Sequence, residues 1–188
     1  MRVITGTAKG RRLASVPGQS TRPITDRVKE ALFNILAQDV VDARVLDLFA
    51  GTGSVGIEAL SRGAREVWFV DREWPAIQTI KANLRATGLA ERARVVRQDA
   101  FKLLRQVSGR EAFDIVYVAP PQYQGLWAKA LAALDEADVL APDALVIAQI
   151  HPKEYAELPL KRLRLTDRRR YGSTELCFYR AAETQEGV

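Results

Sequence analysis

An alternation of strand-like and helix-like segments over residues 44–150 limits this chain more than any other feature of its sequence. Short apolar runs, typical of buried strands, alternate with segments whose apolar residues recur every three or four positions. The predicted strands cover residues 44–49, 66–70, 94–97, 113–118 and 144–150. The predicted helices between them cover residues 54–62, 75–87, 101–107 and 126–134. This order predicts an α/β fold with a mostly parallel, doubly wound sheet.

Further segments flank this alternation at both ends. Residues 1–23, rich in Gly, Pro, Thr and Arg, are predicted to form an irregular or short-hairpin arm, and an amphipathic helix follows with Asp26 in its first turn. Two strands over residues 160–168 and 174–180 are joined by a direct turn, which predicts an antiparallel pair at the sheet edge. The main domain then spans residues 24–180 with seven strands, and residues 181–188 are expected to be a disordered tail.

Composition excludes several classes of protein. No apolar run approaches the roughly 18 residues of a membrane span, and the polar start lacks the core of a signal peptide, so a cytoplasmic location is expected. With one cysteine, Cys177, and one histidine, His151, the chain can form neither an internal disulfide nor a Cys/His zinc site. Cys177 is interpreted as a small buried residue of a strand.

The net charge of +5 conceals two basic clusters, one within residues 1–30 and one within residues 161–170. Each cluster is either a phosphate-contacting surface or a solvated charged face, and the sequence leaves both interpretations open. The first cluster comprises Arg2, Lys9, Arg11, Arg12, Arg22, Arg27 and Lys29, and the second comprises Lys161, Arg162, Arg164, Arg168, Arg169 and Arg170. The residues predicted to contact the phosphates of a nucleic acid are Lys9, Arg11, Arg12, Arg22 and Arg27.

A glycine-rich segment joins the first predicted strand to a helix. Gly51 and Gly53 allow positive φ and close approach of a ligand, and the helix that begins near Ser54 points free N–H groups toward the same crevice. The spacing through Gly56, with Asp71 after the second strand, also fits a dinucleotide-binding fingerprint. The glycines alone therefore do not distinguish NAD from S-adenosylmethionine.

Acidic residues at the strand ends favour S-adenosylmethionine over NAD. Asp47 is unsuited to a pyrophosphate but suited to the ammonium group of a bound methionine moiety, and Asp99 is suited to the adenine amine. Each acid alone is better explained by capping or solvation, but three acids at successive strand ends favour a ligand site. The residues predicted to bind the cofactor are Asp47, Phe49, Ala50, Gly51, Thr52, Gly53, Asp71, Arg72, Asp99 and Ala100.

A double-proline turn follows the fourth predicted strand, beside the expected donor. The turn resembles the Asp/Asn/Ser-Pro-Pro-Tyr/Phe signature of amino-methyltransferases that act on nucleobases. The resemblance implies that the first side chain and a proline-associated carbonyl accept hydrogen bonds from the target amine, and that the aromatic ring stacks on the base. The predicted catalytic residues are Ala119, Pro120, Pro121, Gln122 and Tyr123.

Longer motifs give a closer resemblance. The segments Arg2 to Gly6, Thr21-Arg22-Pro23, Thr25 to Leu36, Leu46 to Gly56 and Tyr171 to Leu176 are similar to those of the bacterial small-subunit rRNA guanine-N2 methyltransferase family of the RsmD type. The similarity covers about residues 1–180. It implies a Rossmann-like class I methyltransferase fold, S-adenosylmethionine as cofactor, and guanine N2 in 16S rRNA, within a small ribosomal subunit or assembly intermediate, as acceptor. It implies no metal.

The double-proline turn departs from the family pattern in two ways. Ala119 has no side-chain acceptor, and Gln122 separates the prolines from the aromatic residue. We predict retained activity through backbone carbonyls, the Gln122 amide and a repositioned Tyr123. Tyr123 and Trp127 either stack on a base or pack against the domain. The alternatives are a non-catalytic rRNA-binding or assembly protein, an amino-methyltransferase acting on another RNA or on DNA, and a nicotinamide-dependent oxidoreductase, against which Asp47 and the proline turn argue.

Overall fold

Three parallel strands form the centre of the first of two compact units, residues 1–100 and 101–188. The computed structural model describes residues 1–19 and 23–182. In the first unit the strand order is β3-β2-β1, and all three strands end at the same edge. Its strands are β1 (Arg44–Asp47), β2 (Glu66–Asp71) and β3 (Ala93–Arg97), and its helices are α1 (Asp26–Leu36), α2 (Ser54–Ser61) and α3 (Trp74–Thr87). Two short 3₁₀ helices cover Ala37–Val40 and Ala90–Arg92.

Local sequence signals explain where these helices begin and end. The hydroxyl oxygen of Thr25 accepts the Val28 N–H at 3.2 Å, which caps α1. Helix α3 has Pro75 in its first turn and ends at Gly88, whose φ of +71° is the left-handed conformation that favours glycine. All eight residues of α2 are buried, as expected for a helix that is apolar around most of its circumference.

Residues 1–13 form a short hairpin, one of the two forms predicted for the arm. The Val3 N–H donates to the Arg11 carbonyl at 2.9 Å, and Arg2 and Arg12 form an antiparallel bridge. The hairpin is attached to the rest of the first unit, because the Ala8 N–H donates to the Ser61 hydroxyl at 3.0 Å. The hairpin of residues 1–13 is therefore an integral part of this unit.

A buried carboxylate connects the hairpin to α1 and α2. Glu58 accepts the backbone N–H groups of Ile4 at 2.8 Å and Thr5 at 3.1 Å. It also pairs with Arg62 at 3.1 Å and with the fully buried ammonium of Lys29 at 3.5 Å. The inclusion of Lys29 in a phosphate-contacting cluster was therefore wrong, because this side chain lies inside the protein and is neutralised there. Desolvation by burial lowers the pKa of Lys29, against the opposing effect of Glu58.

The second unit contains four strands in the order β4-β5-β7-β6. Strands β4 and β5 are parallel, and β7 is antiparallel to both β5 and β6. These elements are α4 (Ala100–Val107), β4 (Phe113–Val118), α5 (Leu126–Glu136), β5 (Leu140–Ile150), β6 (Leu163–Tyr171) and β7 (Thr174–Ala181), with a 3₁₀ helix at Pro152–Glu154. The expected hairpin turn and edge pair are confirmed. Residues 183–188 of the predicted tail lie outside the described residues.

The predicted fold class is confirmed. The chain has an α/β fold with seven strands, most of them parallel, and its last two strands form an antiparallel pair. Cys177 is fully buried in β7, as predicted, and burial raises the pKa of its thiol to about 12. Strand β5 begins at Leu140, four residues earlier than predicted. The segment around Pro142 and Asp143 belongs to the strand, although a proline usually interrupts one. In the described part of the chain, no helix has the length and apolar character needed to cross a membrane.

Close packing between α2 and β2 generates the first prediction. A methyl group at Gly56 would lie 2.3 Å from Cε1 of the fully buried Phe69. We expect Gly56→Ala to lower the free energy of unfolding by about 3 kcal/mol, because the core cannot absorb the added volume. Gly88→Ala is the control, since its methyl group would enter open space and would cost only about 1 kcal/mol of backbone strain. Equal losses in urea denaturation would contradict this account of the packing.

Candidate functional site

The glycine loop lies at the carboxyl edge of the parallel strands of the first unit. Gly51 has a φ of +57°, and its N–H donates to the carboxylate of Asp71 at 3.0 Å. Apart from Gly51 and its two chain neighbours, no atom of the described residues lies within 4 Å of the position that a Gly51 Cβ would occupy. Gly53, with a φ of +79°, precedes the first residue of α2. The loop is thus fixed from the protein side and open where a ligand could approach.

Asp47 ends β1 beneath this loop and is only 1% exposed. Its Oδ2 accepts the Gly56 N–H at 3.3 Å, whereas Oδ1 has no hydrogen-bond partner among the described residues. Burial raises the pKa of this carboxyl to about 7. A buried acceptor without a partner costs free energy and is suited to a cationic or hydrogen-bonding group, reached directly or through water.

Asp71 and Asp99 follow the neighbouring strands β2 and β3. Asp71 accepts the N–H groups of Gly51 and Glu73 through different oxygens, which leaves each oxygen with a lone pair for a further donor. Asp71 pairs in register with Arg97, so Asp99 lies just beyond the end of the adjacent strand, and its side chain is exposed. The structure therefore brings the three predicted acids to one edge.

The other predicted cofactor residues have different environments. Arg72 is exposed and pairs with Glu73 at 3.1 Å, whereas Thr52 is buried and accepts the Ser54 N–H at 3.2 Å. The loop also includes Ala50, whose N–H donates to the Val70 carbonyl at 2.9 Å. Of the remaining predicted positions, Ala50 and Ala100 are buried and Phe49 is half-buried.

The start of α2 discriminates between the two candidate ligands. A dinucleotide pyrophosphate binds at a helix N-terminus through free N–H groups. Here the Ser54 and Gly56 N–H groups donate to Thr52 and Asp47, so neither of them is free to bind a phosphate. This arrangement disfavours a pyrophosphate. It fits S-adenosylmethionine, whose ammonium, ribose hydroxyls and adenine amine need acceptors rather than anion-binding donors.

The double-proline turn belongs to the second unit and follows β4. Pro120 is buried and Ala119 is half-buried, whereas Pro121, Gln122 and Tyr123 are exposed. Tyr123 has a φ of +60°, which is uncommon for a residue other than glycine. The residue is 65% exposed and therefore accessible.

Trp127, in contrast, is buried, and its ring stacks with that of Tyr155 at a centroid distance of 6.4 Å. The packing interpretation therefore holds for Trp127. Sequence reasoning missed Glu154, whose carboxylate contacts the turn, because nothing local in the sequence relates the two segments.

The predicted RNA-contacting residues fall into three groups. Lys9, Arg11 and Arg12 are exposed on the hairpin, and Arg27 is exposed on α1. Arg22 lies outside the described residues. In the second basic cluster, Arg168 pairs with the nearly buried Glu175 through both carboxylate oxygens, at 3.0 and 3.1 Å, and Arg169 pairs with Asp167 at 2.7 Å. Parts of that cluster are therefore used in internal ion pairs.

No group of three or more His, Cys, Asp or Glu side chains that could hold a metal ion is found in residues 1–19 and 23–182.

Comparison with solved structures identifies the class of the fold. The structure titled "Putative methyltransferase yhhF from Escherichia coli" superimposes with a TM-score of 0.84 at 36% sequence identity, over 98% of this chain and 99% of that chain. The fold is therefore that of the Rossmann-like α/β methyltransferases, as the sequence motifs implied.

The family follows from comparison of sequences. The family model described as "Conserved hypothetical protein 95" matches residues 1–180, and the chain belongs to this family. "Putative rRNA methyltransferase YlbH" of Bacillus subtilis is 43% identical over 96% of this chain and 98% of its own length. "Ribosomal RNA small subunit methyltransferase D" of Escherichia coli K12 is 40% identical over 79% of this chain and 74% of its own length. The predicted family resemblance is confirmed.

The buried carboxyl of Asp47 generates a prediction about stability and pH. Its folded pKa of about 7 lies above the ordinary value of 3.8, so between about pH 4 and pH 7 the folded protein binds a proton that the unfolded chain has released. The stability that this proton provides is complete below about pH 4 and is lost as the pH rises through 7. Without cofactor, we expect Asp47→Asn to match the parent at pH 4. At pH 8 it should be more stable, by up to about 4 kcal/mol.

Urea denaturation at the two pH values measures this difference. Asp138→Asn, which removes an exposed carboxylate, is the charge-matched control. A stability difference between Asp47→Asn and the parent that does not change with pH would contradict the prediction.

Proposed function

We propose that this protein transfers a methyl group from S-adenosylmethionine to the exocyclic N2 amine of a guanine in 16S rRNA. The substrate is a small ribosomal subunit or an assembly intermediate, which implies a cytoplasmic location. The observation that supports the proposal most directly is the open glycine loop above the unpartnered oxygen of Asp47. Membership of a family with relatives named as small-subunit rRNA methyltransferases supports the choice of substrate.

In this proposal each acid at the strand ends binds one part of the cofactor. Asp47 accepts a hydrogen bond from the methionine ammonium, directly or through water. Asp71 accepts hydrogen bonds from the ribose hydroxyls, and Asp99 accepts one from the adenine amine. Gly51 permits close approach because it lacks a side chain. The bound cofactor supplies an electrophilic methyl group on a sulfonium.

The double-proline turn is proposed to receive the guanine. Backbone carbonyls of the turn and the Gln122 amide oxygen accept the N–H groups of the target amine, which increases the availability of its lone pair. The ring of Tyr123 stacks on one face of the base. When bound, the cofactor would supply the methyl group for one new N–C bond in exchange for its S–C bond, and the amine proton would leave to water. The part of the turn in this proposal is to orient the amine for attack.

One observation favours a second candidate function. Ala119 provides no side-chain acceptor at the first position of the turn, so the chain could bind rRNA without methylating it. A transfer assay separates the two candidates. We expect tritium from methyl-labelled S-adenosylmethionine to enter small-subunit rRNA isolated from cells that lack this protein. Binding of that rRNA without any transfer would instead support the non-catalytic function.

The contact between Asp71 and Gly51 generates a prediction about the donor site. We expect Asp71→Ala to weaken S-adenosylmethionine binding by about 1–3 kcal/mol, because an acceptor for the ribose and the support of the loop are both lost. Calorimetric titration measures the dissociation constant. Asp114→Ala, at a carboxylate of the second unit, is the control. An unchanged dissociation constant in a folded Asp71→Ala protein would remove Asp71 from the donor site.

The exposed arginines of the hairpin generate a prediction about RNA. If Arg11 and Arg12 contact phosphates, replacing both with alanine should reduce the salt dependence of RNA binding by a logarithmic slope of about 0.7–0.9 per contact. Arg105→Ala with Arg110→Ala changes the charge equally on another exposed segment and should leave the slope unchanged. Equal slopes for the hairpin variant and the parent would mean that these arginines are only solvated.

A further inference from the structure

The backbone of Tyr123 adopts a conformation that its own sequence does not favour. Its φ of +60° lies in the left-handed region, where a side chain with a Cβ is strained. Such strain persists only where surrounding contacts hold the residue, and it is concentrated at functional sites. Tyr123 is nevertheless 65% exposed, so burial of the residue does not explain why the strain is tolerated.

Glu154 provides the contact that holds this backbone. Its Oε1 accepts the Tyr123 N–H at 2.7 Å, a short distance typical of a charge-assisted hydrogen bond. Its Oε2 accepts the His151 N–H at 3.2 Å. One carboxylate therefore connects the turn after β4 to the segment after β5, across 31 positions of sequence.

The segment that contains Glu154 is itself fixed. The His151 side chain accepts the Lys153 N–H at 3.1 Å, so His151 and Glu154 form a reciprocal capping box around the 3₁₀ helix Pro152–Glu154. Tyr155, which follows, stacks with Trp127, and the Arg168 guanidinium lies 3.4 Å from the centre of the Tyr155 ring. The carboxylate thus acts from a rigid support.

His151 also contacts the tyrosine ring directly. The centroids of the Tyr123 and His151 rings are 5.5 Å apart, with an angle of 38° between their planes. This is a tilted aromatic contact of the favourable range. At this separation no base fits between the two rings, so His151 can only support Tyr123 from one side, and a base would stack on its exposed surface.

We propose that Glu154 and His151 are positioning residues that hold Tyr123 as the stacking surface for the target base. The need for them follows from the sequence of the turn, because Gln122 moves the aromatic residue one position away from the prolines. The Glu154 hydrogen bond holds the left-handed backbone of Tyr123, and the His151 ring contacts its side chain. Together they compensate for the shift of the aromatic residue by one position. This inference rests on the proposed function, since it assumes that the turn receives a nucleobase.

The first test measures stacking without turnover. The probe is a short single-stranded RNA with one 2-aminopurine, whose fluorescence is quenched when the base stacks on an aromatic ring. We expect Tyr123→Ala to weaken the quenching interaction about 5- to 150-fold, the range of base–aromatic stacking, and Tyr123→Phe to leave it near the parent value. Glu154→Ala should weaken it at least about fivefold although the tyrosine is still present.

Two further variants separate positioning from general damage. Glu154→Gln keeps one acceptor oxygen for two N–H donors, so it should give an intermediate loss. Glu157→Ala removes an exposed carboxylate three positions away and should behave as the parent. If Glu154 acts through Tyr123, the double variant Tyr123→Ala with Glu154→Ala should be no weaker than Tyr123→Ala alone. Thermal unfolding of each variant shows that the fold is retained.

The second test uses methyl transfer to small subunits from cells that lack this protein. His151→Ala and Glu154→Ala should each raise KM for the subunit more than they lower kcat, and the dissociation constant of S-adenosylmethionine should not change. Additive losses in the double variant, or quenching by folded Glu154→Ala equal to that of the parent, would overturn the inference. An absence of methyl transfer by the parent protein would contradict only the proposed function. The quenching test would still show whether Glu154 and His151 position Tyr123.

Discussion

The buried carboxylate of Glu58 is the interaction on which the organisation of the first unit depends. It accepts the backbone of the hairpin at Ile4 and Thr5 and pairs with Lys29 of α1 and Arg62 of α2. Lys29 in turn donates to the Ser54 hydroxyl at 3.0 Å, at the start of α2 directly after the glycine loop. Loss of one member of such a network leaves an uncompensated buried charge. The basic hairpin and the donor loop therefore share one set of contacts, and their relative positions within this unit are fixed together.

A second buried carboxylate illustrates the conflict between stability and function. Asp47 would be replaced by an uncharged residue if only stability mattered, because its burial without a partner for Oδ1 destabilises the charged form near neutral pH. Its retention is understandable if a ligand supplies the missing partner. Tyr123 shows the same conflict in the backbone, where strain at an exposed position is balanced by the Glu154 carboxylate.

The sequence predicted elements whose signals are local. The period of apolar residues located β4 at Phe113–Val118 without error, and the glycine at position 88 located the end of α3. Lys29 was misjudged because counting charges ignores the helix face, although its spacing from Phe33 and Leu36 would have indicated burial. The contact between Tyr123 and Glu154 could not be predicted, since it joins segments 31 positions apart and depends on how two turns meet.

Identification of the methylated nucleoside tests the central claim most directly. Small subunits from cells that lack this protein would be incubated with the protein and S-adenosylmethionine, and the 16S rRNA would be digested to nucleosides for mass spectrometry. We predict one new nucleoside, N2-methylguanosine, at a single position of the rRNA. A methyl group on a different atom or base would contradict the assignment of the acceptor, and rRNA that binds the protein but gains no methyl group would contradict the enzymatic function.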